Sequence, residues 1–191
     1  MLRSTVRAVI GFLVAILAVP ALWATTAVER TESDMIQESA IIVTGHCTHL
    51  QSQWVGRTLV TLATIQVSEV LKGSAGSQVT VTLPGGVDSN RRFPVAMTYP
   101  AAPVILQQEN VLLFLTPEDL VANSYSIVGF SQGKYSLAET PQGKKVASQD
   151  LAGLSLQARG GSFHQGSAKT IQLDDLRQRI RQTPPAGRDQ Q

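Results

Sequence analysis

Gln78-Val-Thr-Val-Thr-Leu83 alternates without a break between polar and β-branched or apolar side chains. Such a period of two is that of a strand with one buried face, here Val79, Val81 and Leu83, and one outer face, Gln78, Thr80 and Thr82. Neighbouring segments repeat the pattern. Arg57 to Lys72 reads as a long strand with Leu59, Ala63, Ile65 and Val67 on one face, and Val60 and Leu62 on the other. The alternation slips at Ser68-Glu-Val-Leu71, which predicts a bulge or bend. Ala40 to Leu50 is a preceding strand, and Trp54-Val-Gly-Arg57 the hairpin turn between the two. Val111-Leu-Leu-Phe-Leu115 has no polar position, as expected of a central strand covered on both sides.

The remaining segments fit around this β-rich centre. Thr31 to Glu38 predicts a short helix, with Thr31 or Ser33 as cap and acids in its first turn. Lys72-Gly-Ser-Ala-Gly76 and Thr116-Pro-Glu-Asp119 predict turns, and Thr140-Pro-Gln-Gly-Lys144 a hairpin. Tyr125–Phe130, Lys134–Leu137 and Lys145–Ala147 predict further strands, and Phe93–Met97 a short one inside the long connection 85–109. Residues 157–168 read as a glycine-rich linker. Ile171 to Arg181 predicts a closing helix with Leu173, Leu176 and Ile180 on one stripe. The expected architecture is all-β with minor α: a small antiparallel OB-like barrel over residues 28–150 with a short N-terminal helix. A linker and closing helix would follow at 151–182, and a disordered tail at 183–191. Closing a sheet into a barrel removes its exposed edges.

The first 27 residues carry a different message. Arg3 and Arg7 precede Ala8 to Trp23, sixteen residues without a charge, and Ala24-Thr-Thr-Ala27 supplies small residues. This is the layout of a secretory signal peptide. Cleavage is expected after Ala27, with Ala24 the second choice. A membrane-spanning helix needs about 20 apolar residues, and this run is shorter and broken by Pro20. Export to the periplasm or outside the cell is therefore expected, with membrane contact only through an uncleaved leader. About 164 residues remain, enough for one domain. They carry equal numbers of basic and acidic side chains. That balance argues against nucleic acid as a partner, since such binding rests on a basic surface.

Chemistry-bearing clusters are few. Cys47 is the single cysteine, so no disulfide forms within the chain. It reads as a buried strand residue. His46-Cys-Thr-His49 is the one cluster of metal-ligand types; on a regular strand Cys47 and His49 share a face and His46 takes the other. A third ligand would have to be the distant His164, short of a usual zinc set. Gly129-Phe-Ser-Gln-Gly133 matches the nucleophile-elbow pattern at Ser131, but that motif needs a strand, a turn and then a helix, and another strand is expected here. No catalytic residue, cofactor or metal is assigned. Arg91-Arg92 in the 85–109 connection, with Tyr99 nearby, is the candidate binding edge for an acidic protein or polymer of the cell envelope.

Four segments carry a resemblance: Ser39-Ala-Ile-Ile-Val-Thr-Gly45, Ile65-Gln-Val-Ser-Glu-Val-Leu-Lys-Gly73, Gln78–Leu83 and Val111–Leu115. In that order they resemble the OB-fold superfamily of netrin modules and tissue inhibitors of metalloproteinases. The chain is also similar to uncharacterised exported bacterial proteins sharing Ser52-Gln-Trp54, Pro84-Gly-Gly86 and Val128-Gly-Phe-Ser-Gln-Gly-Lys134. The likeness covers about residues 38–137 and implies the fold alone. The animal inhibitors chelate protease zinc through an N-terminal cysteine and are held by several disulfides; with Cys47 its single cysteine, this chain does not inherit that mechanism. The function expected is a non-enzymatic binding module. The alternative is a metal-binding or thiol-active protein using Cys47 with His46 or His49.

Overall fold

The computed structural model describes residues 25–183. The protein is mainly β, with thirteen strands and two helices among these residues. In chain order they are β1 Thr25–Val28, α1 Glu32–Glu38, β2 Ile41–Val55, β3 Thr58–Lys72, β4 Gln78–Pro84, β5 Gly86–Asp88 and β6 Val95–Met97. Then follow β7 Asn110–Glu118, β8 Ser124–Ile127, β9 Lys134–Glu139, β10 Lys145–Gln149, β11 Leu154–Gln157, β12 Phe163–Gln165, β13 Lys169–Gln172 and α2 Leu173–Gln182.

Eight strands form one sheet in the order β13-β10-β9-β7-β2-β3-β4-β8. The last of them, β8, also pairs antiparallel with β7, from Leu115↔Ile127 to Glu118↔Ser124. It meets β4 in parallel through the single pair Val81↔Tyr125. A three-stranded sheet β1-β11-β12 and the small β5-β6 hairpin complete the β structure.

β7 is the hub, and its sequence says why. Val111, Leu113 and Leu115 join Val43, Ile65 and Val81 in one core. The alternate residues Leu112 and Phe114 join Met35, Ile36, Tyr135, Leu176 and Ile180 in a second core under the helices. A strand buried on both faces has no position where a polar side chain is tolerated. The stripe on α2 lies as the spacing predicts, with Leu173, Leu176 and Ile180 buried.

Helix α1 is fixed at both ends. Thr31 Oγ1 accepts from the Asp34 amide at 3.1 Å, and Asp34 Oδ2 accepts from the Thr31 amide at 3.0 Å. This reciprocal pair is a capping box. At the other end Lys72, from β3, donates to the carbonyls of Ile36, Gln37 and Ser39. The helix has no basic residue in its own last turn; the neighbouring strand supplies the cation that its exposed carbonyls favour. Burial lowers the pKa of Lys72.

The β2–β3 pairing slips three times: between Ile42 and Val43, Thr44 and Gly45, and Cys47 and His49. The first two slips leave Leu71 and Ser68 unpaired on β3, within or beside the irregularity read at 68–71. The third leaves Thr48 as an extra residue on β2. The strand also runs on to Val55, five residues past the expected end, because Gln51–Val55 pair with Thr58–Leu62 across a two-residue loop. Gly56 opens that loop at φ +60°, as the first residue of a tight hairpin.

Other expectations need correction. The segment read as a glycine-rich linker carries β11 and β12, which pair with each other, while β11 also pairs in parallel with β1. Leu154 and Leu156 anchor it in a third core with Leu151. The strand read at Tyr125–Phe130 ends at Ile127, since Gly129 and Phe130 both take positive φ. Of the leader assigned to residues 1–27, residues 1–24 lie outside the described residues, and Thr25–Ala27 belong to β1. Residues 184–191 of the assigned tail lie outside as well.

Candidate functional site

The 85–109 connection is tied to the sheet by a short relay of hydroxyls. Thr61 Oγ1 donates to the Gly85 carbonyl at 2.8 Å and lies 3.1 Å from Ser52 Oγ, which accepts from the Val87 amide at 3.1 Å. A Cβ on Gly86 would lie 2.5 Å from Ser52 Oγ and 2.6 Å from Thr61 Oγ1. That position therefore needs a glycine. Two of the short motifs, Ser52-Gln-Trp54 and Pro84-Gly-Gly86, thus meet in space here.

Asp88 organises the tip. Its Oδ2 accepts from Trp54 Nε1 at 2.7 Å and from Arg91 Nε at 2.8 Å, and its Oδ1 accepts from the Asn90 amide at 3.1 Å. The Trp54 and Arg91 donors hold the Asp88 carboxyl below its usual pKa. Arg91 also lies over the Trp54 ring, 5.1 Å from its centroid. The arginine pair thereby divides. Arg91 is committed to Asp88 and Trp54. Arg92 sits over Phe93 at 5.6 Å and makes no ion pair with the described residues. Phe93 itself is 74% exposed. Tyr99 lies past β6, and its hydroxyl donates to Met97 Sδ. No hydrogen bond or ion pair joins it to either arginine.

The second half of the connection is held by Glu109. Its Oε1 accepts from Lys134 Nζ and Ser136 Oγ, each at 2.6 Å, and its Oε2 accepts from the Leu106 amide at 2.7 Å. Burial pushes the Glu109 carboxyl up, but the donors Lys134, Ser136 and Leu106 outweigh it and leave the pKa lowered. Backbone bonds Cys47 N to Glu109 O and Gln108 N to Cys47 O pin the loop to β2.

Between these anchors two grooves flank Ala101–Val104. One, of 380 Å³, is lined by Leu83, Gly86, Tyr99 and Ile105. The other, of 360 Å³, is lined by Glu109, Ser131, Lys134, Ser136 and Asp150. Among the described residues, five of the nine exposed large apolar side chains lie in this one connection: Val87, Phe93, Tyr99, Val104 and Leu106. Apolar side chains left in solvent are candidates for a contact surface where they lie together.

The His46-Cys-Thr-His49 cluster comes apart. The bulge at Thr48 breaks the strand period, so Cys47 points into the first core while His49 is exposed. The two do not share a face, contrary to the expectation from a regular strand. Burial raises the Cys47 thiol pKa, disfavouring the thiolate, and the thiol donates to the His49 carbonyl. Among the described residues no three His, Cys, Asp or Glu side chains converge as metal ligands. Ser131 lies in the turn between β8 and β9, with a strand and not a helix after it. Its hydroxyl is buried without a hydrogen-bond partner.

Trp54 and Asp88 escape a sequence reading. Trp54 looks like turn material, and its link to Asp88 spans 34 positions. Gln132 is missed as well: its carboxamide ties the turn at Gly129 to the chain at Val28 and Arg30. No family model, curated protein or solved structure matches the chain.

Proposed function

We propose that the chain is an exported, non-enzymatic binding module, contacting a protein or polymer of the cell envelope through the face built by residues 85–109. The observation that carries this reading is the concentration of exposed apolar side chains in one connection that side-chain hydrogen bonds tie down near both ends. Asp88 fixes one half of it and Glu109 the other. A surface ordered before contact loses less entropy on binding. Arg92 and Phe93 form its free tip, suited to a partner that offers an acidic group beside an apolar one. Export rests on the basic start, the apolar run and the small residues of positions 1–27.

We further read strands β2, β3, β4, β8 and β7 as an OB-like barrel. Pairing runs from β7 through β2, β3 and β4 to β8 and back to β7. Five strands in such a circuit agree with a partly open five-stranded barrel. The likeness to netrin modules and metalloproteinase inhibitors is of the same fold-level kind.

The test is chemical cross-linking of the tagged chain in an exporting bacterial host, with the Arg92→Ser, Phe93→Ser double variant beside it. Surface changes of this kind leave stability within about 0.5 kcal/mol. A specific envelope component cross-linked by the parent and lost from the double variant supports the reading. Equal capture by both chains moves the contact off this face, and capture of nothing by either one refutes the binding role.

A further inference from the structure

The short strand β1 lies where the sequence places the end of the leader. Thr25, Thr26, Ala27 and Val28 pair in parallel with Leu154, Ser155, Leu156 and Gln157. The Glu29 amide continues the ladder to the Gln157 carbonyl at 2.9 Å. Ala27 packs against the third core, in which Leu154 and Leu156 are buried. Just beyond, Gln132 holds both sides of the chain: its Nε2 donates to the Val28 carbonyl and its Oε1 accepts from the Arg30 amide. Residues 25–30 are therefore built into the domain.

The two candidate cleavage positions leave different molecules. Hydrolysis after Ala27 removes three of the four paired residues of β1. It strips one edge of β11, uncovers the side of the third core that Ala27 packs against, and puts a new ammonium on Val28, the residue whose carbonyl Gln132 holds. Unpaired backbone groups at such a site cost roughly 1–3 kcal/mol each when they stay buried. Hydrolysis after Ala24 leaves every one of these pairs intact. Ala24 supplies the small residue before the bond and Pro20 breaks the apolar run four residues earlier, while Leu22, third before the bond, fits a leader peptidase less well than Thr25 does for the cut after Ala27.

We infer that the leader is removed between Ala24 and Thr25, so that the mature chain begins with strand β1. This rests on the export reading above. In the step itself water adds across the Ala24–Thr25 peptide bond, leaving a carboxylate on Ala24 and an amine on Thr25. The leader peptidase of the export machinery supplies the catalyst. That enzyme reads the chain while it is extended, before folding; the fold identifies which product is complete.

The experiment is intact mass and N-terminal sequencing of the full chain, recovered with a C-terminal tag from the exported fraction of a bacterial host. Ala24→Leu and Ala27→Leu variants are run in parallel, because a bulky residue at the position before the scissile bond blocks a leader peptidase. The expected result is an N-terminus at Thr25 in the parent and in Ala27→Leu, with processing at Thr25 lost in Ala24→Leu. An N-terminus at Val28, or a block by Ala27→Leu, overturns the inference and leaves export standing. A chain that keeps Met1 and stays in the cytoplasm overturns both.

Discussion

Replacing Gln132 by leucine keeps most of the side-chain volume and removes a three-way clamp. The residue is 2% exposed. Its carboxamide accepts from the Arg30 amide at 2.8 Å and donates to the Val28 and Gly129 carbonyls, each at 3.0 Å. Each hydrogen bond contributes about 0.5–1.5 kcal/mol net, and a buried group left without a partner costs more. Three lost together, with some relief from water entering as β1 loosens, come to about 2–4 kcal/mol. For a domain of this size that lowers Tm by roughly 5–15 °C. Urea unfolding of parent and Gln132→Leu measures the loss directly. Amide exchange locates it: Arg30 and β1 lose protection first, while β7 keeps its own. A variant within about 0.5 kcal/mol of the parent, with the Arg30 amide still protected, refutes the idea that this side chain holds the N-terminal strand.

Three further outcomes follow from the same structure. Phe114→Ala empties a site at the centre of the second core and is expected to cost about 3–5 kcal/mol in urea unfolding; a loss under about 1 kcal/mol contradicts the two-faced burial of β7. The Tyr135 hydroxyl is pushed up to about 12, chiefly by burial. The folded chain holds that proton longer than the unfolded one, so stability present below about pH 10 is lost as the pH rises toward about 12. A Tyr135→Phe variant removes that alkaline loss, and an unchanged stability profile above pH 10 is the contrary result. Glu109 behaves in the opposite sense. Its folded pKa lies below the ordinary 4.5, so its contribution is complete above that value and is lost as pH falls through the folded pKa. The stability gap between parent and Glu109→Gln therefore narrows on acidification, and a gap that stays constant down to acid unfolding counts against the Lys134–Ser136–Glu109 cluster.

What a sequence can disclose here depends on whether the cause is local. Val111–Leu115 is legible because burial on both faces forbids polar residues, and Gln78–Leu83 because burial on one face imposes alternation. The stripe on α2 and the capping box at Thr31 are local in the same way. The last five residues of β2 are not legible: Gln51, Ser52 and Gln53 carry no strand pattern, and pairing with β3 makes them a strand. Strands β11 to β13 hide among glycines and polar residues for the same reason. The bulge at Thr48 is set by register, so the facing of Cys47 and His49 could not be derived from spacing. In the candidate site, Arg92 is legible as an exposed charge. The Arg91–Asp88 pair spans three residues, but its stacking on Trp54 is not legible, because Trp54 arrives from another hairpin.

The double burial of β7 has a consequence for solubility. Val111–Leu115 is a charge-free, β-prone run, the composition that assembles into intermolecular sheets when it is left open. It is bounded by Glu109 on one side and by Pro117, Glu118 and Asp119 on the other, charges and a proline of the kind that interrupt such growth. Its cover comes from two separate directions, the helices on one face and residues of β2, β3 and β4 from its own sheet on the other, so it stays sticky until both have arrived. A lesion in either core therefore bares the same five residues. Variants as distant as Ile180→Ala on α2 and Val81→Ala on β4 should aggregate through one shared segment.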